Sequence, residues 1–369
     1  MVNRVADEHR LGQALTQRVL VYFPTALGTL YQVRPWYEPL RALDAVHPLV
    51  MVFRDSRTAE RVRSETDFDC LSVGTSAQLD DIVLRSDVAL ALYVNLDPLD
   101  FDCLRFASMT HVYIGHGDSD KEVFVSNQVK AFDKYFVAGP AAVERLGHHL
   151  AYYDAAQRCV VIGQPQLDGF NPAEPEPSRR AVVVYAPTWE GANPSSSYSS
   201  LLSHGPALVD SLIRDGGYDV VYRPHPLTGV EDPRYAAADH AIRRMLETTG
   251  HRVDVTETLE STFSGAAVLI TDVSATVSYW LTTGRPVLMT KPTSEATVPE
   301  GSLSASLPGL DAHDAGSTAA VVASLMVHPP PLDAIASFHL GDLREGDATT
   351  SFIDACTELI DSRQHRSGS

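Results

Sequence analysis

The chain has 369 residues, of which 44% are hydrophobic and 21% are charged, the composition of an ordinary globular protein. Because domains usually contain roughly 100 to 200 residues, this length predicts two domains, each large enough to bury a core without disulfides. The sequence has 47 acidic and 29 basic residues and a formal net charge of −18, which argues against nucleic acid as a partner.

Apolar, β-rich runs alternate with helix-like stretches along the whole chain. In the first half, strands are predicted at 19–23, 49–53, 68–73, 88–94, 111–114, 135–137 and 159–162, with helices at 30–46, 76–85, 99–107, 126–132 and 140–148. In the second half, strands are predicted at 181–185, 218–222, 252–255, 268–270 and 286–289, with helices at 207–215, 232–248, 274–283, 317–328 and 349–362. This alternation is typical of the α/β class, with parallel sheets covered on both faces.

A stretch rich in proline, residues 163–180, interrupts this alternation and has no apolar periodicity. It predicts a linker between two Rossmann-like domains, at 1–165 and 166–345. Residues 346–369 are predicted to form a C-terminal helix that packs back toward the N-terminal domain.

Other features of the sequence bear on location and redox state. The longest apolar runs, at 48–53 and 266–270, fall far short of the ~20 residues that a membrane-spanning helix needs. The first eighteen residues are too polar for a secretory signal peptide, so a cytoplasmic location is expected. The four cysteines show no CxxC spacing and are expected to be buried free thiols.

The first candidate site follows the strand predicted at 111–114, where ligands of open parallel sheets bind. His116 lies between two glycines that leave room for a substrate, and an ordinary histidine pKa of about 6.5 suits a general base. Asp118 could orient this imidazole. Two alternatives stay open: His116 as a solvated bystander, and a hard-cation site formed by His116, Asp118 and Asp120.

The second candidate site follows the strand predicted at 218–222. Arg223 offers a planar, permanently charged fork that suits phosphate, and the prolines on either side of His225 stiffen the backbone around the imidazole. This pattern predicts an anion site. The alternative is a surface turn with incidental charges.

The third candidate site is the sequence Thr-Asp-Val-Ser-Ala-Thr at 271–276, where a predicted strand runs into a predicted helix. Ser274 is predicted as the N-cap of that helix. The amides of the helix start and the hydroxyls of Ser274 and Thr276 predict a second phosphate contact.

The sequence contains no G-x-G-x-x-G, G-x-x-x-x-G-K-[ST] or G-x-S-x-G motif, which argues against a classical dehydrogenase, a P-loop enzyme or an α/β-hydrolase. A candidate base in one domain and a candidate diphosphate site in the other describe a GT-B type transferase. In that fold, two doubly wound Rossmann-like domains face each other across a cleft.

Six segments of the chain resemble, in order, the motifs of the CDP-glycerol glycerophosphotransferases, the primases and polymerases of teichoic acid. They are Gly-His-Gly-Asp at 115–118, Gly-Gln-Pro-Gln-Leu-Asp at 163–168, Tyr-Ala-Pro-Thr-Trp at 185–189, Arg-Pro-His-Pro at 223–226, Thr-Asp-Val-Ser-Ala at 271–275 and Glu-Gly-Asp-Ala-Thr at 345–349. The resemblance spans about residues 110 to 360 and implies a GT-B fold.

The resemblance also implies a role for each candidate residue. His116 would act as the base that deprotonates an acceptor hydroxyl, and Asp118, which could orient its ring, is the second candidate catalytic residue. The donor phosphates would be bound by four residues: Arg223, His225, Ser274 and Thr276. Thr188 and Asp272 would belong to the donor cleft, and neither a metal nor a cofactor is expected.

The implied reaction is transfer of a polyol phosphate, glycerol phosphate or a similar group, from a CDP-activated donor to a glycan or lipid-linked acceptor in cell-wall or capsule synthesis. Two alternatives stay open on the same fold: an inverting glycosyltransferase or epimerase that uses a nucleotide sugar, and a non-catalytic protein that binds one. The sequence leaves open whether the protein associates peripherally with the inner face of the cell membrane.

Overall fold

The computed structural model describes residues 4–116, 126–177, 179–191, 197–254, 258–293, 296, 298, 301–341 and 346–367. The chain divides into two compact units. The first contains the described residues of Met1–Asp118, Val125–Asp168 and Leu340–Ser369, and the second contains those of Gly169–His339.

The first unit is built on one parallel sheet whose order, within the described residues, is β3-β2-β1-β4-β5-β6-β7. Its strands are β1 Val19–Phe23, β2 Leu49–Phe53, β3 Asp69–Ser72, β4 Leu90–Tyr93, β5 Thr110–Tyr113, β6 Lys134–Val137 and β7 Cys159–Val161. Its helices include α1 Tyr37–Asp44, α2 Ser56–Glu65, α3 Ser76–Arg85, α4 Phe101–Leu104, α5 Pro140–His149 and α6 Ala155–Arg158.

The second unit is built on a parallel sheet of order β10-β9-β8-β11-β12-β13, again within the described residues. Its strands are β8 Ala181–Ala186, β9 Tyr218–Tyr222, β10 Arg252–Val253, β11 Ala266–Thr271, β12 Val287–Thr290 and β13 Gly309–Leu310. Its helices are α7 Gly205–Asp215, α8 Pro233–Thr249, α9 Leu259–Phe263, α10 Thr276–Leu281, α11 Leu303–Ser306, α12 Thr318–Val327 and α13 Leu332–Leu340. The α/β class predicted from the sequence is therefore confirmed.

The last helix, α14 (Asp347–Ser367), completes the core of the first unit. Phe352, Cys356 and Ile360 are fully buried and lie four residues apart, which places them on one face of the helix. The ring of Phe352 packs 5.3 Å from that of Trp36, centroid to centroid. At the start of the helix, the backbone N–H of Thr349 donates to the Asp168 carboxylate at 2.7 Å.

The strand order places a topological switch point in each sheet, between β1 and β4 in the first unit and between β8 and β11 in the second. At such a point the chain leaves the sheet in opposite directions from neighbouring strands, and a crevice opens at their carboxyl ends.

Among the described residues, no single helix is long and apolar enough to cross a bilayer. One bent pair of helices, Ala312–Val327 with Leu332–Leu340, passes the same test by length and composition.

Candidate functional sites at the carboxyl ends of the two sheets

In the second unit, β9, β8 and β11 are neighbours, so the residues that follow these three strands lie at one edge of the sheet. Arg223 and His225 follow β9, Thr188 follows β8, and Asp272, Ser274 and Thr276 follow β11. The structure therefore brings the candidate residues of this unit to neighbouring strand ends. Parallel strands end at the same side of a sheet, so the order of the strands accounts for this placement.

Asp272 ties the loops of this edge together from the inside. It is 0% exposed, and its Oδ2 accepts the backbone N–H of Thr188 at 2.8 Å and of Ser200 at 3.1 Å. Its Oδ1 accepts the hydroxyl of Thr290, the last residue of β12. Burial raises the pKa of Asp272 to about 6, although these hydrogen bonds oppose the shift. Asp272 thus positions the loops at the switch point.

Thr188 is also buried, and its carbonyl accepts the Ser199 hydroxyl at 2.8 Å. The segment around Ser199 and Ser200 is therefore attached both to Thr188 after β8 and to Asp272 after β11. The OH of Tyr185, inside β8, lies 2.8 Å from the Ser200 hydroxyl and adds a third contact.

His225 lies half-buried against Trp189, with ring centroids 6.3 Å apart and planes 21° from parallel. Its Nδ1 accepts the backbone N–H of Leu227 at 3.1 Å. An Nδ1 that accepts carries no proton in the neutral ring, so Nε2 carries it and is a donor. A donor N–H at this position suits a phosphate oxygen.

Arg223 is engaged with protein groups that the sequence did not suggest. Its Nη1 donates to the Asp254 carboxylate at 3.2 Å and to the Thr262 hydroxyl at 2.6 Å. Asp254 follows β10 and is itself buried. The anion-binding fork predicted for Arg223 is thus shared with a buried carboxylate, and its role in binding donor phosphates stays a prediction.

Ser274 and Thr276 are half-buried at the start of α10. The sequence prediction that Ser274 is the N-cap is wrong: the helix begins at Thr276, and Ala275 is its cap without a side-chain hydrogen bond. Ala275 already has helical φ and ψ, so the chain makes a tight turn before the helix. The Ser274 hydroxyl lies 3.5 Å from that of Thr271.

Glu190 is a residue of this edge that the sequence analysis missed. Its carboxylate is buried and accepts the backbone N–H groups of Gly229, Glu231 and Asp232, at 3.0, 3.0 and 3.3 Å. Burial alone would raise its pKa, but the backbone N–H donors outweigh burial and hold the pKa below its ordinary value. Its position beside Trp189, one residue beyond a recognised motif, was the signal available.

In the first unit, His116 follows β5 and lies next to the switch point. Its Nδ1 lies 3.2 Å from the carbonyl of Val94, which follows β4. A carbonyl only accepts, so Nδ1 carries the proton in the neutral ring and Nε2 is the basic nitrogen. Gly115, at a φ of +66°, turns the chain here, and its carbonyl accepts the Trp36 indole N–H at 2.6 Å. Asp118 and Asp120 lie outside the described residues.

Polar side chains beside Val94 were also missed from the sequence. The amide Nδ2 of buried Asn95 donates to Gln32 Oε1 at 3.0 Å and to the Thr25 hydroxyl at 3.3 Å. Thr25 and Asn95 follow β1 and β4, the two strands of the switch point. The rule that strand ends carry chemistry would have found them, because each lies within two residues of its strand.

Comparison with known proteins gives one family match. Residues 120–296 match the family model of CDP-Glycerol:Poly(glycerophosphate) glycerophosphotransferase. This segment contains the loops after β8, β9 and β11. A search of curated proteins gave no match.

Solved structures show the same fold at low sequence identity. A variant of the wall teichoic acid polymerase TagF soaked with CDPG has a TM-score of 0.55 and 14% identity, over 94% of this chain and 89% of that chain. A glycosyltransferase from Rickettsia africae has a TM-score of 0.58 and 10% identity, over 95% and 99%. Anabaena HepE in complex with UDP and glucose has a TM-score of 0.56 and 11% identity, over 94% and 100%. At these identities the likeness establishes the fold, which is that of GT-B enzymes.

Proposed function

Because residues 120–296 carry the sequence pattern of the CDP-glycerol:poly(glycerophosphate) glycerophosphotransferases, we propose that this protein transfers a polyol phosphate from a CDP-activated donor to a glycan or lipid-linked acceptor. Glycerol phosphate is the transferred group that the family name favours. The observation that carries this proposal is that the matched segment contains Thr188, His225 and Asp272, which follow neighbouring strands of one sheet.

In this proposal the acceptor hydroxyl attacks the donor phosphorus nearer the polyol. A bond forms between the acceptor oxygen and that phosphorus, the bond from phosphorus to the oxygen of CMP breaks, and the hydroxyl proton passes to Nε2 of His116. The tautomer of His116 supports this step, because Val94 holds the ring by Nδ1. The protein contributes mainly positioning and charge stabilisation.

The donor phosphates would contact the Nε2–H of His225 and the hydroxyls of Ser274 and Thr276. Arg223 would contribute positive charge, reduced by its ion pair with Asp254. Thr188 and Asp272 would hold the surrounding loops in place rather than touch the donor, since both are buried. Association with the inner face of the cell membrane stays a prediction.

A second candidate is a glycosyltransferase that takes a sugar from a nucleotide donor. The likeness to HepE, solved with UDP and glucose, favours it. The same diphosphate contacts would serve both functions, so the transferred group and the released nucleotide distinguish them.

The test is release of nucleotide by the purified protein. With CDP-glycerol and a glycan acceptor, the proposal expects CMP, whereas UDP-glucose should give no UDP. The reverse result would favour the glycosyltransferase, and binding of CDP without release of CMP would indicate a binding protein.

His116→Ala should lower turnover by ~10² or more while CDP still binds, as expected when a general base is lost. Unchanged turnover in this variant would remove His116 from the mechanism.

A further inference from the structure

We propose that Glu190 is a positioning residue that fixes the loop carrying His225, and thereby sets the affinity for the donor diphosphate. The loop is residues 225–232, called here the His225 loop. The part of this inference that concerns the donor rests on the proposed function, whereas the part that concerns the loop rests on contacts alone.

The carboxylate of Glu190 binds the far end of the His225 loop. Oε2 accepts the N–H of Gly229, and Oε1 accepts those of Glu231 and Asp232. Glu190 is 5% exposed, so these donors replace the water that would otherwise solvate its charge. A buried carboxylate without such donors would be costly.

The neighbouring residue holds the near end of the same loop. Trp189 stacks on the His225 ring at 6.3 Å, and Glu190 follows it directly in the chain. Two successive residues at the end of β8 therefore bracket the loop after β9. This is possible because β8 and β9 are paired in parallel, with Tyr185 opposite Tyr222.

Hydrogen bonds within the His225 loop make it compact. The N–H of Thr228 donates to the His225 carbonyl at 2.9 Å, and that of Val230 donates to the Leu227 carbonyl at 3.2 Å. Gly229 has a φ of +77°, and a Cβ there would lie 2.6 Å from the Cβ of Ala236. Close packing against α8 thus sets one side of the loop, and Glu190 sets the other.

Backbone donors explain why the negative charge of Glu190 is tolerated near a candidate phosphate site. The three backbone donors surround Glu190 and disperse its charge over peptide dipoles. The same donors keep its pKa below the ordinary value, so Glu190 is ionised at neutral pH and the attachment persists.

The experiment compares Glu190→Ala and Glu190→Gln with Glu247→Gln. Glu247 is exposed on α8, so this variant removes one negative charge from the same unit without touching the loop. Calorimetric titration with CDP should show affinity about tenfold or more weaker in Glu190→Ala, which loses several hydrogen bonds to a charged group, and an intermediate loss in Glu190→Gln. Turnover at saturating donor should change less than affinity, because the base is in the other unit. Glu247→Gln should match the wild type.

A second measurement reads the loop without any ligand. Nitrogen-15 shifts of the His225 ring should report the Nε2–H tautomer in the wild type and a mixture of tautomers in Glu190→Ala, a change that lower stability alone does not produce. If both Glu190 variants match Glu247→Gln in titration and in these shifts, the inference is overturned. Should Glu190→Ala fail to fold, Glu190→Gln decides both measurements. If the wild type binds no CDP but Glu190→Ala still shows the tautomer change, the donor role is refuted and the positioning role stands.

Discussion

His116 and His225 are held in opposite tautomers by the backbone. A carbonyl faces Nδ1 of His116, whereas an N–H faces Nδ1 of His225. The neutral ring of His116 therefore presents a basic Nε2, and that of His225 presents a donor Nε2–H. These are the forms that a base and a phosphate ligand require, and only the three-dimensional structure supplies them, because both residues look alike in sequence.

A prediction at the residue scale concerns Asp272 and how the free energy of unfolding depends on pH. Asn fits its site: Oδ1 can accept the N–H groups of Thr188 and Ser200, and Nδ2 can donate to the Thr290 hydroxyl, whose proton then goes to the Thr271 carbonyl. Asp272→Asn should therefore fold and lack one buried ionisable group.

The sign follows from the direction of the shift. The folded-state pKa of Asp272 is about 6, above an unfolded value near 4. The folded wild type therefore binds more protons than the unfolded chain between these values, and its free energy of unfolding falls as pH rises through them. Relative to Asp272→Asn, the wild type should lose on the order of 3 kcal/mol from pH 4 to pH 7 and little more above. Urea unfolding of both proteins measures this, and a constant difference across this range would contradict it.

Sequence patterns identified the positions of the candidate residues but not the groups that they contact. His116, His225 and Asp272 each follow a strand predicted from an apolar run, so the strand-end rule found them. Glu190 and Asp254 were missed because each acts on a neighbouring strand's loop. Such pairs depend on the order of the strands in the sheet, which local patterns do not contain.

At the scale of elements, buried strands were easier to predict than exposed helices. β1, β2 and β9 begin and end where the sequence predicted, because they are nearly continuous apolar runs in a covered parallel sheet. α2 was missed because it buries only Thr58, Ala59 and Val62 and has many charges. Its start is nevertheless capped by Asp55, whose carboxylate accepts the N–H of Arg57 at 2.9 Å.

The predicted linker also has more structure than its composition indicates. Within 163–180, the Ala173 carbonyl accepts the N–H of Gly265 at 2.8 Å. Buried Arg285 donates to the carbonyls of Pro172 and Ala173 at 3.1 and 3.0 Å. The segment is therefore attached to the second unit by a cation more than a hundred residues later, which no local pattern could reveal.

The packing of α14 gives a prediction at this scale. Phe352→Ala should destabilise the protein by about 3 to 5 kcal/mol, because the ring is fully buried against Trp36 and its removal leaves a cavity. Phe101→Ala is the matched control, since Phe101 belongs to the same unit and is 60% exposed. Denaturant unfolding followed by tryptophan fluorescence measures both. Equal losses in the two variants would show that α14 does not contribute to the core.

At the scale of the whole molecule, the candidate base and the candidate donor contacts belong to different units. We therefore expect separable effects on binding and on turnover. His225→Ala should weaken CDP about ten- to a hundredfold, the usual effect of losing a hydrogen bond to a charged group. His116→Ala should leave CDP affinity unchanged. Calorimetry on both variants decides the point: if His116→Ala weakens CDP as much as His225→Ala does, the assignment of donor binding to the second unit is wrong.

The two units also differ in how the chain builds them. Within the described residues, the second unit comes from one segment of the chain, Gly169–His339. The first unit, in contrast, includes α14, which follows that segment. A ribosome makes α14 after the second unit, so Phe352, Cys356 and Ile360 reach their core only once the second unit has been synthesised. The unit that comes first in the sequence is thus the last to be completed, and until then the surface around Trp36 that α14 covers stays open to solvent and to chaperones.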